Sequence, residues 1–257
     1  MRISALSFRL PLVAASFVLL FLLFLAPAAS AVTIDFESEV NGQAGPFQYV
    51  FPGVTVDVTA DAPPPGNHLG LAIFDSTDPA GPNSAGADPD LLVDTGNILI
   101  LQNNNFAAQT GSVFDTPNDD ENGGQFFFDF DAPVELTSVG LIDINQGGTL
   151  SVILRDSGIG TRTYSVPNGW NGDVDQNPLV GYQDLDLTTL AGQIGIGNGQ
   201  LATAQDLNGF DPTDVRQLEF LFTGSAAIDN LVFVPEPGTA LVLGLGLAGL
   251  GWRRRGI

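Results

Sequence analysis

Apolar and polar residues alternate with a two-residue period through much of the middle of the chain. Phe126, Phe128 and Phe130 occupy every second position, with Phe127 and Asp129 between them. Successive side chains of a β-strand point to opposite faces, so this pattern predicts a strand with one buried and one solvated face. The strands predicted from such patterns are Val32–Glu37, Gly53–Thr59, Leu69–Asp75, Asn97–Gln102, Gln125–Asp131, Val134–Ile144, Thr149–Arg155, Thr161–Val166, Val215–Phe222 and Ala226–Val234.

Clusters of Gly, Asn, Asp and Pro separate these strands. Examples are Asp61–Asn67, Asp78–Asp90 and Thr116–Gly124. Such clusters favour turns and loops. No long segment of the middle region has a helical period, and Leu185–Ile194 is the single candidate for a short helix. Many short strands joined by such turns predict an all-β fold, a β-sandwich or jelly roll.

The first 31 residues differ in character from this strand-rich region. Arg2 and Arg9 lie before an apolar run, Leu10–Ala26. After this run, Ala29-Ser30-Ala31 has the small residues of a signal-peptidase site. This order is typical of a secretory signal peptide, predicted over residues 1–31. An uncleaved anchor is the alternative, because the apolar run is long for a signal peptide.

The C-terminal segment, residues 235–257, combines three features in a fixed order. The tripeptide Pro235-Glu236-Pro237 precedes an uncharged run, Gly238–Trp252, which precedes Arg253-Arg254-Arg255. The run predicts a single transmembrane helix, and the arginines after it hold the C-terminus in the cytoplasm. Fifteen helical residues reach only about 22 Å, against a bilayer core of about 30 Å. The helix must therefore borrow Leu231–Val234, thin the bilayer, or pack against another helix.

The intervening domain, residues 32–234, is strongly acidic. Its only cations are Arg155, Arg162 and Arg216, which face 28 carboxylates and leave a net charge of −25. Such a domain repels nucleic acid and anionic membrane surfaces, and it attracts divalent cations or cationic partners. Solubility, or tolerance of salty surroundings, is the simpler explanation of this charge. The chain has no Cys, which excludes disulfides and thiolate chemistry.

The tripeptide, the apolar run and the arginine cluster together resemble the PEP-CTERM sorting signal of Gram-negative bacteria. The resemblance covers about the last 23 residues. It implies recognition and cleavage by a membrane transpeptidase, an exosortase, with Pro235, Glu236 and Pro237 as the processing motif. It further implies transient anchoring in the inner membrane, stopped by Arg253, Arg254 and Arg255, followed by association with the cell surface or exopolysaccharide.

The first and last predicted strands resemble those of jelly-roll domains of the carbohydrate-binding-module type. The segments concerned are Thr33–Glu37 and Ala227–Phe233. The resemblance implies a structural calcium ion between them, with Glu37 and Asp229 as ligands. Calcium takes six to eight oxygens, so backbone carbonyls would have to complete the site. Alternatively, the carboxylates lie on a solvated face and the intervening apolar residues form the core.

A second acidic segment has the ligand spacing of an EF-hand loop. Asp173, Asp175, Asn177 and Asp184 stand at the first, third, fifth and twelfth positions. The sixth position requires a glycine with positive φ, and Pro178 stands there with its φ fixed near −65°. An acidic surface loop is therefore the preferred interpretation.

The residues do not predict an enzyme. His68 is the only histidine, and neither a G-x-S-x-G nucleophile elbow nor a nucleotide-binding loop is present. A glycosidase needs only two carboxylates, so a hydrolase stays open as an alternative. Trp170, among Asn and Gly residues, either stacks on a sugar ring or packs in the core. We therefore expect a non-catalytic exported protein, with a secreted carbohydrate-binding lectin as the first alternative.

Overall fold

The computed structural model describes residues 30–61, 68–77, 91–144, 148–172 and 181–236. In this part of the chain the regular structure is almost entirely β, with one short 3-10 helix at Asn104–Phe106. The strands are β1 (Val32–Ile34), β2 (Phe47–Phe51), β3 (Val54–Asp61), β4 (His68–Asp75), β5 (Asn97–Asn103), β6 (Gln109–Thr110), β7 (Val113–Phe114), β8 (Gly124–Ile142), β9 (Leu150–Asp156), β10 (Thr161–Val166), β11 (Tyr182–Asp186), β12 (Gln193–Ile194), β13 (Leu201–Leu207), β14 (Val215–Phe222) and β15 (Ala227–Pro235).

The 19-residue strand β8 organises the whole sheet. It joins two predicted strands into one, passing through Ala132-Pro133 without ending. Its first half lies between β3 and β14, and its second half lies between β15 and β11. The register on β14 shifts between Val215 and Gln217, opposite the proline. A proline cannot donate to a ladder, so an irregularity is expected at this point.

Two groups of antiparallel strands therefore share β8. One runs β12-β13-β10-β9-β14-β8-β3-β2, and the other runs β4-β5-β15-β8-β11, with β1 on the far part of β15. This is a sandwich-like all-β arrangement, as the alternation predicts. Some strands that follow one another in sequence pair antiparallel across short hairpin connections, namely β2–β3, β6–β7, β9–β10 and β12–β13.

The core is built largely from the alternating phenylalanines. Phe126, Phe128 and Phe130 are each at most 4 % exposed, whereas Phe127 on the opposite face is half-buried. Phe126 stacks on Phe220 of β14 with 5.0 Å between ring centroids. Aromatic side chains bury large apolar areas and gain further from offset or edge contacts. The buried face of β8 therefore supplies the centre of the main hydrophobic cluster.

The predicted helix over Leu185–Ile194 is wrong. Its two ends belong to strands β11 and β12. The Gln193 side chain donates to the Asp186 carbonyl at 2.7 Å and accepts from the Asp186 N–H at 2.8 Å. This amide copies the pairing of a backbone peptide, which holds the two short strands together without a continuous ladder.

The first strand is shorter than predicted. It ends at Ile34 rather than Glu37, because Phe36 has φ of +59° and its carbonyl accepts from the Glu39 N–H in a turn. Positive φ is costly for a residue with a bulky side chain. Phe36 is nevertheless only 1 % exposed, so burial of its ring accompanies the turn.

Candidate functional site

The ends of β1 and β15 bring the predicted calcium ligands together. Ile34 lies opposite Leu231 in the antiparallel pair of these strands. The chain then turns at Phe36 just before Glu37, and at Asn230, with φ of +48°, just after Asp229. Asp229 is 1 % exposed, whereas Glu37 is exposed. The cluster therefore joins one buried carboxylate to one that faces water.

The pKa of the Asp229 carboxyl is raised to about 7, mainly by burial. The negative charges of Glu37 and Asp35 contribute to this increase, and hydrogen bonds from Asn230 and Thr95 oppose it. The Asn230 N–H and side-chain amide each donate to Asp229 at 2.7 Å. Removing a carboxylate from water disfavours its charged form, and nearby like charges add to that effect. A cation bound here would offset both the loss of solvation of Asp229 and the repulsion from the nearby carboxylates.

Asn97 occupies the middle of the same cluster. Its backbone N–H donates to Glu37 Oε1 at 2.9 Å, and its side-chain amide donates to the carbonyls of Phe36 and Glu39 at 3.3 and 2.9 Å. The preceding Gly96 has φ of +95°, and a Cβ there would overlap the Glu37 carboxylate. One carboxylate and two carbonyls therefore accept hydrogen bonds from the backbone and side chain of Asn97.

No group of three or more His, Cys, Asp or Glu side chains placed to hold a metal ion occurs in the described residues. A calcium ion at Glu37 and Asp229 would need the Phe36 and Glu39 carbonyls as further ligands, and Asn97 would have to turn its amide oxygen inward. The oxygen donors suit calcium chemically. Calcium at this cluster stays a prediction. The EF-hand-like loop lies mostly outside the described residues.

Trp170 lies in the core and not in a ligand-accessible loop. It is fully buried, and its indole N–H donates to the Gln193 carbonyl at 3.0 Å. Gly195 lies directly against the indole, where a Cβ would clash. These contacts favour core packing over sugar stacking for Trp170. Its ring face is not open to a sugar.

The sorting tripeptide begins inside the sheet. β15 ends at Pro235, which lies opposite Val134 of β8, and Glu236 follows as an exposed residue. Leu231–Val234 belong to β15, so in the folded domain they cannot lengthen a membrane helix. Pro237 and the predicted anchor stop at Arg253, Arg254 and Arg255 lie outside the described residues. Among those described, no helix has the length and apolar character needed to cross a bilayer.

A row of polar side chains crosses five neighbouring strands on the solvated face of β8. Register places these residues side by side, from β2 through β3, β8 and β14 to β9: Gln48, Asp57, Asp129, Gln217 and Arg155. Gln48 donates to Asp57, and Gln217 donates to Asp129, both at 2.7 Å. Strands in a sheet lie about 4.8 Å apart, so the row spans about 19 Å.

An open groove of about 530 Å³ lies at the β2 end of this row. Its floor combines carboxylates, an amide and a hydroxyl with apolar surface. The residues that line it are Pro46, Phe47, Gln48, Asp57, Thr59 and Asp129. Sequence patterns place Asp57 and Asp129 on solvated faces of their strands, but only strand order makes them neighbours. Sequence patterns alone therefore do not predict this face.

In the next row, Glu219 is nearly buried between two partners. It is 5 % exposed and accepts hydrogen bonds from Gln125 and Arg155, the latter also forming an ion pair at 2.5 Å. Arg155 thus belongs to both rows. Since a buried carboxylate is costly unless paired, these contacts hold the polar face in a fixed arrangement.

Two further polar groups were not predicted from sequence. The Ser225 hydroxyl contacts the buried carboxylates of Asp119 and Asp143. His68 accepts from the Gly70 N–H through Nδ1 at 3.2 Å, so its neutral ring carries the proton on Nε2. Burial lowers the pKa of His68, and the Asp120 charge opposes this. With Nδ1 engaged and Nε2 protonated, His68 is poorly placed as a general base.

Comparison with known families identifies the tail. A family profile of the PEP-CTERM protein-sorting motif matches residues 233–255, which include the last three residues of β15. Comparison with curated proteins finds no match. The matched segment contains the tripeptide, the apolar run and the arginine cluster in their predicted order. The chain therefore carries a membrane-anchoring PEP-CTERM sorting signal at its C-terminus, which indicates an exported protein.

Proposed function

We propose that this chain is a non-catalytic, exported β-domain displayed at the cell surface or in the exopolysaccharide matrix after an exosortase-type enzyme processes its tail. The observation that carries the proposal is the direct join between a folded all-β domain and the matched motif at residues 233–255. Residues 30–235 form one compact unit by themselves. Removal of the tail after this unit leaves its core and strands complete.

We further propose that the polar face of the sheet binds a neutral glycan. Amide and carboxylate groups of Gln48, Asp57, Asp129 and Gln217 offer both donors and acceptors to sugar hydroxyls. The half-buried ring of Phe127 lies in the adjacent row and supplies apolar contact. With a net charge of −25 in residues 32–234, an anionic polymer would be repelled. A neutral polysaccharide therefore fits this face best.

A structural calcium ion at Glu37 and Asp229 is a separate proposal. The raised pKa of Asp229 supports it, because a divalent cation would replace the proton that burial favours. This ion would join the start of the domain to its last strand, since β1 pairs with β15. Its role would be stability and not catalysis.

The glycan proposal is tested by affinity electrophoresis of the purified protein in gels that contain neutral polysaccharides, including the exopolysaccharide of the source cells. The double variant Asp57→Asn/Asp129→Asn should lose retardation. Its charge-matched control, Glu121→Gln/Glu135→Gln, changes two exposed carboxylates outside the row and should behave as the wild type. Equal retardation of all three proteins would contradict the proposal.

The alternative of a hydrolase is tested on the same proteins. Release of reducing sugar by the wild type and the control, but not by Asp57→Asn/Asp129→Asn, would support a hydrolase and contradict a non-catalytic function. Binding without sugar release supports the non-catalytic function proposed.

A further inference from the structure

Strand β15 stays paired with β8 up to Pro235, the first residue of the sorting tripeptide. Leu231 and Phe233 are fully buried, and β15 pairs with β8 as far as Pro235. The Phe233 ring packs edge-on against Phe51, at 5.7 Å between centroids, and against Phe130, at 5.5 Å. We call these three rings the Phe233 clamp. The clamp fixes the chain two residues before Pro235.

Only two residues separate this strand from the uncharged run that begins at Gly238. Glu236 and Pro237 together span about 7 Å when extended. Pro237 restricts Glu236 to extended conformations, and Pro235 has no N–H to donate. The first residue of the tripeptide therefore belongs to the fixed strand, and the residue after it is restricted by Pro237 to extended conformations.

Peptide cleavage requires a backbone that is free to enter the enzyme's site. A bond inside β15 becomes free only when the strand opens locally, and the rate of such cleavage follows the population of the open form. Opening Leu231–Val234 exposes two fully buried apolar side chains and breaks pairing with both β1 and β8. Bonds after Pro235 carry no such cost.

We propose that the folded sheet limits where the tail is cut, with the Phe233 clamp as the specificity-determining feature. Cleavage is confined to bonds that follow Pro235, and the mature protein keeps β15 whole. This inference rests on the proposed processing and adds to it a role for the domain's own fold. Processing thereby leaves the closing strand of the core in place.

A broad-specificity protease tests the limit without any exosortase. Purified full-length protein is treated with proteinase K under native conditions, and its products are identified by intact mass. We expect the wild type to be cut after Pro235 and not within 231–235. Phe233→Ala should be cut within β15 at least about tenfold faster, because losing a buried aromatic ring raises the population of the open strand.

Two further variants control this experiment. Phe51→Ala removes a half-buried partner ring and should give an intermediate rate even if Phe233→Ala does not fold. Phe127→Ala removes a half-buried phenylalanine from the opposite face of β8 and should keep the wild-type pattern. Cuts within Leu231–Val234 of the folded wild type, or equal rates in Phe51→Ala and Phe127→Ala, would overturn the inference.

A second arm follows processing in cells by pulse-chase. Inserting Gly-Ser-Gly-Ser between Val234 and Pro235, which keeps the tripeptide whole, should speed processing at least about twofold, since the tripeptide then moves free of the strand. The same insertion between Asn208 and Gly209, an exposed turn, should not. Wild-type protein that stays unprocessed would contradict the proposed sorting. The proteinase K experiment would still test whether the folded sheet confines cleavage to bonds after Pro235. Faster processing with both insertions, or with neither, would overturn the inference.

Discussion

Pro235 lies opposite Val134 in the antiparallel pair of β15 and β8, so the first residue of the sorting tripeptide is also the last residue of β15. The two roles are compatible because proline lacks only the N–H, and a strand end tolerates that loss. The folded domain and the export signal therefore meet without a linker. Folding and sorting of this protein are joined at a single position.

Alanine substitution of Pro235, Glu236 and Pro237 together should leave unprocessed protein in the inner membrane. The motif supplies the recognised sequence, and alanine also removes the proline restrictions that keep the segment extended. Membrane fractionation with immunoblotting for the tail measures this. Pro52→Ala, an exposed proline in the turn between β2 and β3, is the control and should be processed normally. Normal processing of the triple variant would count against the sorting role.

Raising the pH should weaken the domain through Asp229. Its folded-state pKa of about 7 lies above the ordinary value of 3.8, so the folded state favours the protonated form. That contribution is complete below pH 3.8 and is lost as the pH rises towards and through 7. In metal-free buffer, Asp229→Asn should therefore show a smaller fall in melting temperature between pH 5 and pH 8. Parallel curves for the two proteins would show that Asp229 does not titrate in this range.

Chelation should destabilise the protein if calcium binds at Glu37 and Asp229. A ligand at one hundred times its Kd stabilises a fold by about 2.7 kcal/mol, so EDTA should lower the melting temperature by several degrees at pH 8. Glu37→Ala should abolish the difference between calcium and EDTA, whereas Glu135→Ala, another exposed carboxylate, should retain it. A wild-type melting temperature that EDTA leaves unchanged would remove the site.

Substitution of Trp170 should affect stability and not glycan binding. Trp170→Ala should cost about 3–5 kcal/mol, as expected for a large buried aromatic side chain. Trp170→Phe keeps most of the ring and loses the hydrogen bond to Gln193, at about 1 kcal/mol or somewhat more. Urea unfolding measures both, and glycan affinity of Trp170→Phe should equal that of the wild type. Lost affinity with unchanged stability would restore the sugar-stacking interpretation.

The alternation of Phe126, Phe128 and Phe130 was enough to predict the central strand and its buried face. Local periodicity reports one strand at a time, however, and the 19-residue length of β8 depends on pairing partners far along the chain. The segment around Gln193 shows the same limit, because its pairing uses a side-chain amide that no strand pattern contains. Strand β13 was missed for a similar reason: its strand conformation depends on pairing with β10.

The candidate sites likewise include residues that the sequence predicts and residues that only strand pairing brings together. Glu37 and Asp229 were predicted as ligands because the resembling jelly rolls hold a structural calcium ion between such first and last strands, and β1 does pair with β15. The role of Asn97 was not predicted, because it comes from a strand 60 residues away from Glu37. The polar row from Gln48 to Arg155 likewise requires strand order. The sequence predicts which face of its own strand each residue lies on, but only the pairing register shows that these residues are neighbours across the sheet.

The most direct test of the whole account is the intact mass of the native protein, together with its cellular fraction. We predict an exported species that begins near Val32 and has lost Arg253, Arg254 and Arg255 from its C-terminus. A native protein recovered from the cytoplasm with the mass of all 257 residues would contradict the account.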